Sequence, residues 1–253
     1  MATKAEEVFS MNEAARSQAF SEIWAGDLKG VFAGVADYYD RANRIASMGM
    51  LGWWLKRFVA TIDLRPGDKL LDVCAGTNVM GIALLKKRPD LDVQAIDRCA
   101  DMQRVGMERA AKLGFKIKSD IGDVHRLPYP DNRFDVVTLQ YASRHLGILE
   151  VSKESHRVLK PGGYFYHCDM LRPESALVEE AYYMYLKASL DFTSWVFRSN
   201  TAALNCRQYF IDALRMFYSA GELTDLLYEV GFSSVQHTAV FGGVVGFHKA
   251  RKE

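Results

Sequence analysis

LDVCAGTNV, residues Leu71–Val79, reads as an apolar strand running into a tight turn with a helix behind it. That succession is where an open α/β sheet places its first ligand-binding loop. Such loops usually carry several glycines, because the backbone must come close to a ligand. Here Gly76 is the single glycine, and Asn78 stands two residues on. What the turn holds depends on the segments around it.

Upstream, RPGD (Arg65–Asp68) breaks the chain with Pro and Gly. Before it, aromatic and apolar residues recur at helical spacing. Downstream, strands and helices alternate. KLLDVCA is a strand and VMGIALLKKR a helix. DVQAIDR is a second strand, and CADMQRVGMERAAKLG a helix closed by a glycine. KIKSDIGD is a third strand and DVVTLQYA a fourth. A helix through KESHRVLK is expected to end at PGG, before a fifth strand, YFYHCDM. Strands separated by helices of this length indicate a mainly parallel sheet with helices on both faces. After Pro173 the alternation stops. Glu174–Ala220 reads as amphipathic helix, GELTDLLYEVGF as another helix, and SSVQHTAVFGGVVGFHKARK as two strands closed at Gly242-Gly243. The expectation is one domain over 1–253. It has a helical lid at 1–66, a nucleotide-binding core at 67–173, a lid insertion at 174–222 and a closing helix and strand pair at 223–253.

Composition narrows the function. The 32 Lys and Arg nearly balance the 31 Asp and Glu, which leaves no electrostatic footprint for nucleic acid. MATKAEEVFSMNEAARSQAF lacks the apolar core of a signal peptide, and Glu6, Glu7 and Glu13 do not suit a transit peptide. No apolar run reaches the roughly 18 residues of a membrane span. A soluble, cytoplasmic protein is expected. Cys74, Cys99, Cys168 and Cys206 form no CxxC, so neither a disulfide framework nor a zinc site is expected. His167, Cys168 and Asp169 are consecutive, but neighbouring strand residues point to opposite faces and do not converge on a metal.

The strand ends carry the chemistry. Asp97 closes the second strand, where a carboxylate can accept hydrogen bonds from both hydroxyls of a ribose. The competing role is a helix N-cap. Asp123 closes the third strand, with Val124 beside it to meet an adenine edge, or serves as a turn aspartate. An acidic group after the second strand without a phosphate-cradling GxGxxG argues for a nucleoside that lacks phosphates. S-adenosylmethionine meets that description.

VADYYDRANRIASMG, LDVCAGT, LPYPDNRFDVVT, YASRH, RVLKPGG, YEVGF and FGGVVGFHKA occur in that order between Val35 and Lys249. Together they resemble the ubiquinone/menaquinone C-methyltransferase family of class I S-adenosylmethionine-dependent enzymes. The resemblance implies a Rossmann-like fold and methyl transfer to a ring carbon of a quinol. It implies a cofactor site of Asp72, Cys74, Ala75, Gly76 and Asn78, then Asp97, Arg98, Asp123, Val124 and Gln140. Tyr39, Asn43, Tyr141 and Asp169 would line the acceptor pocket, and Asp40 would help close the lid.

The chain departs from the family pattern in two places. The family loop reads like LDLAGGTGD; here Asn78 replaces the last glycine and Val79 the acidic residue after it. Asn tolerates left-handed backbone, but its side chain is expected to narrow the approach. In YASRH, His145 replaces an Asn after Arg144, and Ala142-Ser143 replaces a Gly and a variable residue. A phenol becomes a carbon nucleophile when it loses its proton. His145, with an ordinary pKa of about 6.5, is the first candidate base. Arg144 would stabilise the phenolate, with Tyr39 closing over the ring.

The aromatic stretches MLGWWLKRFV and YYMYLKASLDFTSWVF have two compatible readings. They form a channel for an isoprenoid tail or rest on a membrane as a peripheral contact. Alternatively, they are core and homodimer-interface helices, and plain packing is the preferred expectation. Two other functions stay open: methylation of a different small aromatic at oxygen or nitrogen, and a protein that keeps the fold but no longer transfers methyl groups.

Overall fold

Leu70, Leu71 and Val73 are fully buried in the first strand, and Val136, Val137 and Leu139 fill its neighbour. Strands apolar on both faces belong in the middle of a covered parallel sheet. The computed structural model of the chain places them there, and it describes residues 4–197 and 207–253. Residues 198–206 of the expected lid insertion, Cys206 among them, lie outside the described residues.

The sheet contains β1 (Lys69–Val73), β2 (Asp92–Asp97), β3 (Lys118–Ile121), β4 (Phe134–Gln140), β5 (Leu159–Met170), β6 (Ser234–Val240) and β7 (Val245–Arg251). Their order is β3-β2-β1-β4-β5-β7-β6. The first five run parallel, and β7 lies antiparallel between β5 and β6. The order reverses between β1 and β4, so a crevice opens at their carboxyl ends. This is the Rossmann-like architecture expected from the sequence.

Helices cover both faces. They are α1 (Lys4–Glu22), α2 (Leu28–Val35), α3 (Tyr39–Ala46), α4 (Met50–Thr61), α5 (Val79–Lys87), α6 (Ala100–Lys112), α7 (Ile148–Val158) and α8 (Ala176–Phe197). Two more follow, Arg207–Arg215 and Ala220–Val230. The last is bounded by a capping box between Ser219 and Glu222 and by Gly231 in left-handed backbone at φ 110°. On α4, Trp54 and Phe58 point inward; burying such a ring contributes roughly 1.5–3 kcal/mol.

One boundary differs from the expectation. The α7 helix stops at Val158, and β5 begins at once with Leu159. Leu159 pairs with Phe134 and Tyr164 with Val136, so Lys160–Gly163 bulges out of the ladder. The Pro-Gly-Gly run therefore sits inside the strand as an irregularity. No helix among the described residues is long and apolar enough to cross a membrane.

Candidate active site

The turn after β1 uses left-handed backbone at alternate residues: Cys74, Gly76 and Asn78 have φ of 55°, 51° and 55°. Gly is free there, and Asn tolerates it. Asp97, at the end of β2, fastens the turn. Its Oδ2 accepts the Gly76 N–H at 2.8 Å, and its Oδ1 accepts the Cys99 N–H at 2.8 Å. The carboxylate thus supports the start of α6, and its remaining lone pairs border the cavity. Burial raises its pKa, and the Cys99 and Gly76 bonds partly oppose that. On the other side of the turn, Gln103 donates to the Gly76 carbonyl at 2.9 Å.

Asn78 departs from the expectation. Its side chain is fully buried against Gly106 of α6, behind the loop, and does not line the cavity. It therefore does not narrow the approach. Neither amide atom finds a hydrogen-bond partner among the described residues. Thr77 and Val79 border the cavity instead.

That cavity, about 390 Å³, opens at the carboxyl ends of β1, β2 and β4. Asp72, Cys74, Ala75, Gly76, Asp97, Arg98, Asp123, Val124 and Gln140 line one part. Asp123 is exposed at the mouth, with His125 Nδ1 at 2.7 Å from its Oδ1. Burial pushes this carboxyl up, but the hydrogen bonds from His125 outweigh it and hold its pKa below the usual value. His125 Nε2 accepts the Gly147 N–H at 3.1 Å, so it is bare and Nδ1 carries the proton toward Asp123. The imidazole links the third-strand turn to the turn after β4.

Tyr39, Asn43, Tyr141, Arg144 and His145 line the other part, with apolar lid residues such as Phe32, Leu51 and Leu186. Tyr39 and Asn43 sit one turn apart on α3. Asp40 serves as a staple: it accepts from the Thr77 hydroxyl at 3.0 Å and pairs with Arg109. Ser143, Arg144 and His145 form a buried 3-10 turn.

Asp169 is a second correction. It is fully buried beneath this turn and does not line the cavity. It accepts from the Ser143 N–H at 2.8 Å and pairs with Arg144, whose guanidinium borders the cavity. His167 Nε2 lies 2.8 Å from the Ser143 hydroxyl, while Cys168 is buried in the cluster that holds Trp54 and Phe58. Among the described residues, no three His, Cys, Asp or Glu side chains group to hold a metal.

His145 is not the ordinary imidazole that its sequence position suggests. Phe32, Tyr209 and Phe210 surround it at ring separations of 6.2, 5.5 and 5.5 Å, and its Nδ1 lies 2.6 Å from the Tyr209 hydroxyl. Burial first, then the charges of Arg144, Arg16 and Arg98, push its pKa well below 6.5. Its neutral form is therefore favoured. Sequence reasoning missed Thr77, His125, Arg16 and Tyr209. Only His125 had a signal, as a ring nitrogen two residues from Asp123.

The sequence pattern of the ubiE/COQ5 methyltransferase family matches residues 21–252. The chain belongs to the ubiE/COQ5 methyltransferase family. A demethylmenaquinone methyltransferase of Symbiobacterium thermophilum is 32% identical over 228 residues, 88% of this chain and 91% of that one. A ubiquinone/menaquinone biosynthesis C-methyltransferase of Cupriavidus metallidurans is 31% identical, covering 90% and 93%. A Thermotoga maritima S-adenosylmethionine-dependent methyltransferase, titled a possible histamine N-methyltransferase, superimposes with a TM-score of 0.64 at 18% identity. That match covers 88% of this chain and 99% of the other, and the likeness concerns the fold alone.

This ubiE/COQ5-family chain is therefore an S-adenosylmethionine-dependent methyltransferase, and its geometry suits the cofactor. The loop leaves Gly76 without a Cβ on the cavity wall, and the nearest atom to a Cβ there would be Met102 Cε at 3.5 Å. Carboxylates stand at the ends of β2 and β3, and among the described residues no cluster of cations marks a phosphate site on that wall.

Proposed function

We propose that the chain methylates a ring carbon of a quinol, or a related phenolic ring, in quinone biosynthesis. The supporting observation is one cavity that joins the carboxylate wall to Arg144, His145 and an apolar lid. In this reading, Asp97 receives the ribose hydroxyls of S-adenosylmethionine, and Asp123 and Val124 meet the adenine. Cys74, Ala75 and Gly76 pass along the methionine portion, with Asp72, Arg98 and Gln140 around them. The cofactor supplies an electrophilic methyl group.

Arg144, whose side chain is largely buried, stabilises the acceptor as its phenolate. Asp169 holds the guanidinium in place. Tyr39, Asn43 and Tyr141 fix the ring, so that the carbon beside the phenolate oxygen faces the methyl. His145 suits a hydrogen-bonding role better than that of a proton acceptor, because a base works best with its pKa near the working pH.

The exposed side chains of Met48, Trp53, Met184, Phe192, Trp195 and Phe241 support peripheral contact between the lid and a membrane that holds a lipid-tailed quinol. A homodimer over the same face is the competing occupant, and the chain is proposed to be cytoplasmic. Co-sedimentation with vesicles and sedimentation velocity separate the two.

The test of function is turnover of a short-chain demethylmenaquinol, in reduced and oxidised form, with labelled S-adenosylmethionine. Label entering a ring carbon of the reduced form alone is expected. Label on oxygen, or no transfer by protein that binds S-adenosylhomocysteine, overturns the reading.

A further inference from the structure

Arg16 lies on α1, ahead of the segment 21–252 that matches the family. Its side chain is fully buried. A buried guanidinium is strongly unfavourable unless its charge and N–H groups are satisfied, and an apolar residue of similar size often serves stability as well. The rings of Phe217, Trp24 and Tyr218 lie 4.9, 5.5 and 5.9 Å from the guanidinium carbon, and such a cage would accept an apolar side chain. Arginine adds hydrogen bonds at both Nη atoms, while Nε has no partner among the described residues. Nη1 donates to Glu13 at 2.5 Å; Nη2 donates to the Arg144 carbonyl at 3.0 Å and reaches the Ser143 carbonyl at 3.5 Å. Glu13 in turn accepts from the Tyr218 hydroxyl at 3.0 Å.

The Ser143–His145 turn is thus held from two sides. Asp169 takes the Ser143 N–H and the Arg144 guanidinium from below. Arg16 takes the carbonyls from the outside. We propose that Arg16 is a positioning residue for methyl transfer, fixing the turn that presents Arg144 and His145 and making α1 part of the active site. This rests on the acceptor reading above.

Arg16 acts on His145 through charge as well. The groups facing His145 are Arg144 on its own turn, Arg16 from α1, Arg98 from the end of β2 and the Tyr209 hydroxyl from Arg207–Arg215. Glu13 offsets Arg16, and Asp169 offsets Arg144. Phe32 and Phe210 contribute apolar rings. Removing Arg16 removes one of three cations that disfavour the imidazolium.

The test compares Arg16→Met and Arg16→Lys with the wild type. It reads the dissociation constant for S-adenosylhomocysteine, kcat and KM with a short-chain quinol, and the His145 titration in histidine-labelled protein by NMR. For Arg16→Met, at least a tenfold fall in kcat is expected, with S-adenosylhomocysteine affinity within threefold. The His145 titration should move up toward 6.5. Arg16→Lys keeps the charge but not the fork that reaches both carbonyls. It should hold the His145 titration in place and restore only part of kcat. Wild-type kcat in either variant overturns the proposal, and so does an unmoved His145 titration in folded Arg16→Met. If Arg16→Met does not fold, Arg16→Lys alone decides by kcat. If the wild type methylates no quinol, the acceptor reading fails, and the NMR titration still decides on Arg16.

Discussion

A Cβ placed on Gly106 would lie 2.6 Å from Nδ2 of Asn78 and 2.6 Å from the backbone carbon of Thr77. The α6 helix therefore approaches the back of the cofactor loop at a distance that only glycine permits. The Asn78 side chain fills the space behind the turn. The replaced glycine is thus accommodated away from the ligand side.

Two substitutions follow from that contact. Asn78→Gly removes a buried amide without partners and keeps the left-handed backbone. It also leaves a small void, so stability should change by less than about 1 kcal/mol. S-adenosylhomocysteine affinity should stay within threefold. Gly106→Ala must displace loop backbone, and should weaken that affinity at least tenfold and lower the melting temperature. Calorimetric titration of both variants checks this, and equal affinities would refute the packing argument.

Asp72 gives a pH signature. Burial, opposed by the Thr138 hydrogen bond and reinforced by Asp97, pushes its carboxyl up to about 7. In the unfolded chain an aspartate loses its proton near 3.9. Between those values the folded chain holds one more proton than the unfolded chain. The group's contribution to stability is therefore full below about pH 4 and is lost as pH rises to about 7. The difference between about 7 and 3.9 corresponds to at most about 4 kcal/mol. Asp72→Asn mimics the protonated acid, so its stability relative to the wild type should improve between pH 5 and pH 8. Urea unfolding at both pH values tests this, and a constant difference contradicts the raised value.

The strand–turn–helix at Leu71–Val79 and the alternation after it made the parallel sheet readable, because each element carries its own periodicity. The carboxylates at strand ends were readable for the same reason: Asp97 and Asp123 follow directly from where β2 and β3 stop. Side-chain direction was not. Whether Asn78 faces the ligand depends on Gly106, and whether Asp169 enters the pocket depends on Ser143 and Arg144. Both are contacts between distant segments. Arg16 was hidden more completely, since an arginine on a helix of low apolar periodicity reads as a solvated face. The Pro-Gly-Gly run read as a break between elements, whereas the ladder resumes around it.

Asp169 should behave as a support for Arg144. Asp169→Asn leaves a buried guanidinium without its counter-charge, a loss of about 3–5 kcal/mol. The expected result is a lower unfolding midpoint and a kcat reduced more than tenfold, with S-adenosylhomocysteine affinity unchanged because Asp169 does not border the cavity. A rise in acceptor KM alone would return Asp169 to the pocket wall.

The last expectation concerns which group sets the pH dependence of turnover. An imidazole whose pKa is pushed well below its ordinary value by burial, Arg144, Arg16 and Arg98 favours its neutral form. Its folded value is depressed, so the imidazolium is the disfavoured form, and any break it causes lies on the acid side of 6.5, outside the range from pH 7 to pH 9. A phenol beside Arg144 does ionise within reach of that range, since a nearby cation favours the phenolate. The kcat/KM for a quinol should therefore rise from pH 6 toward pH 9, following the ionisation of the acceptor. His145→Asn should lower the rate without moving that rise. Arg144→Gln should reduce the rate at least a hundredfold and shift the rise to higher pH. Profiles of the three proteins with two quinols of different acidity make the comparison. If the rise follows the acidity of the quinol, the acceptor is the titrating group. A break near pH 6.5 that disappears in His145→Asn would make His145 the base after all.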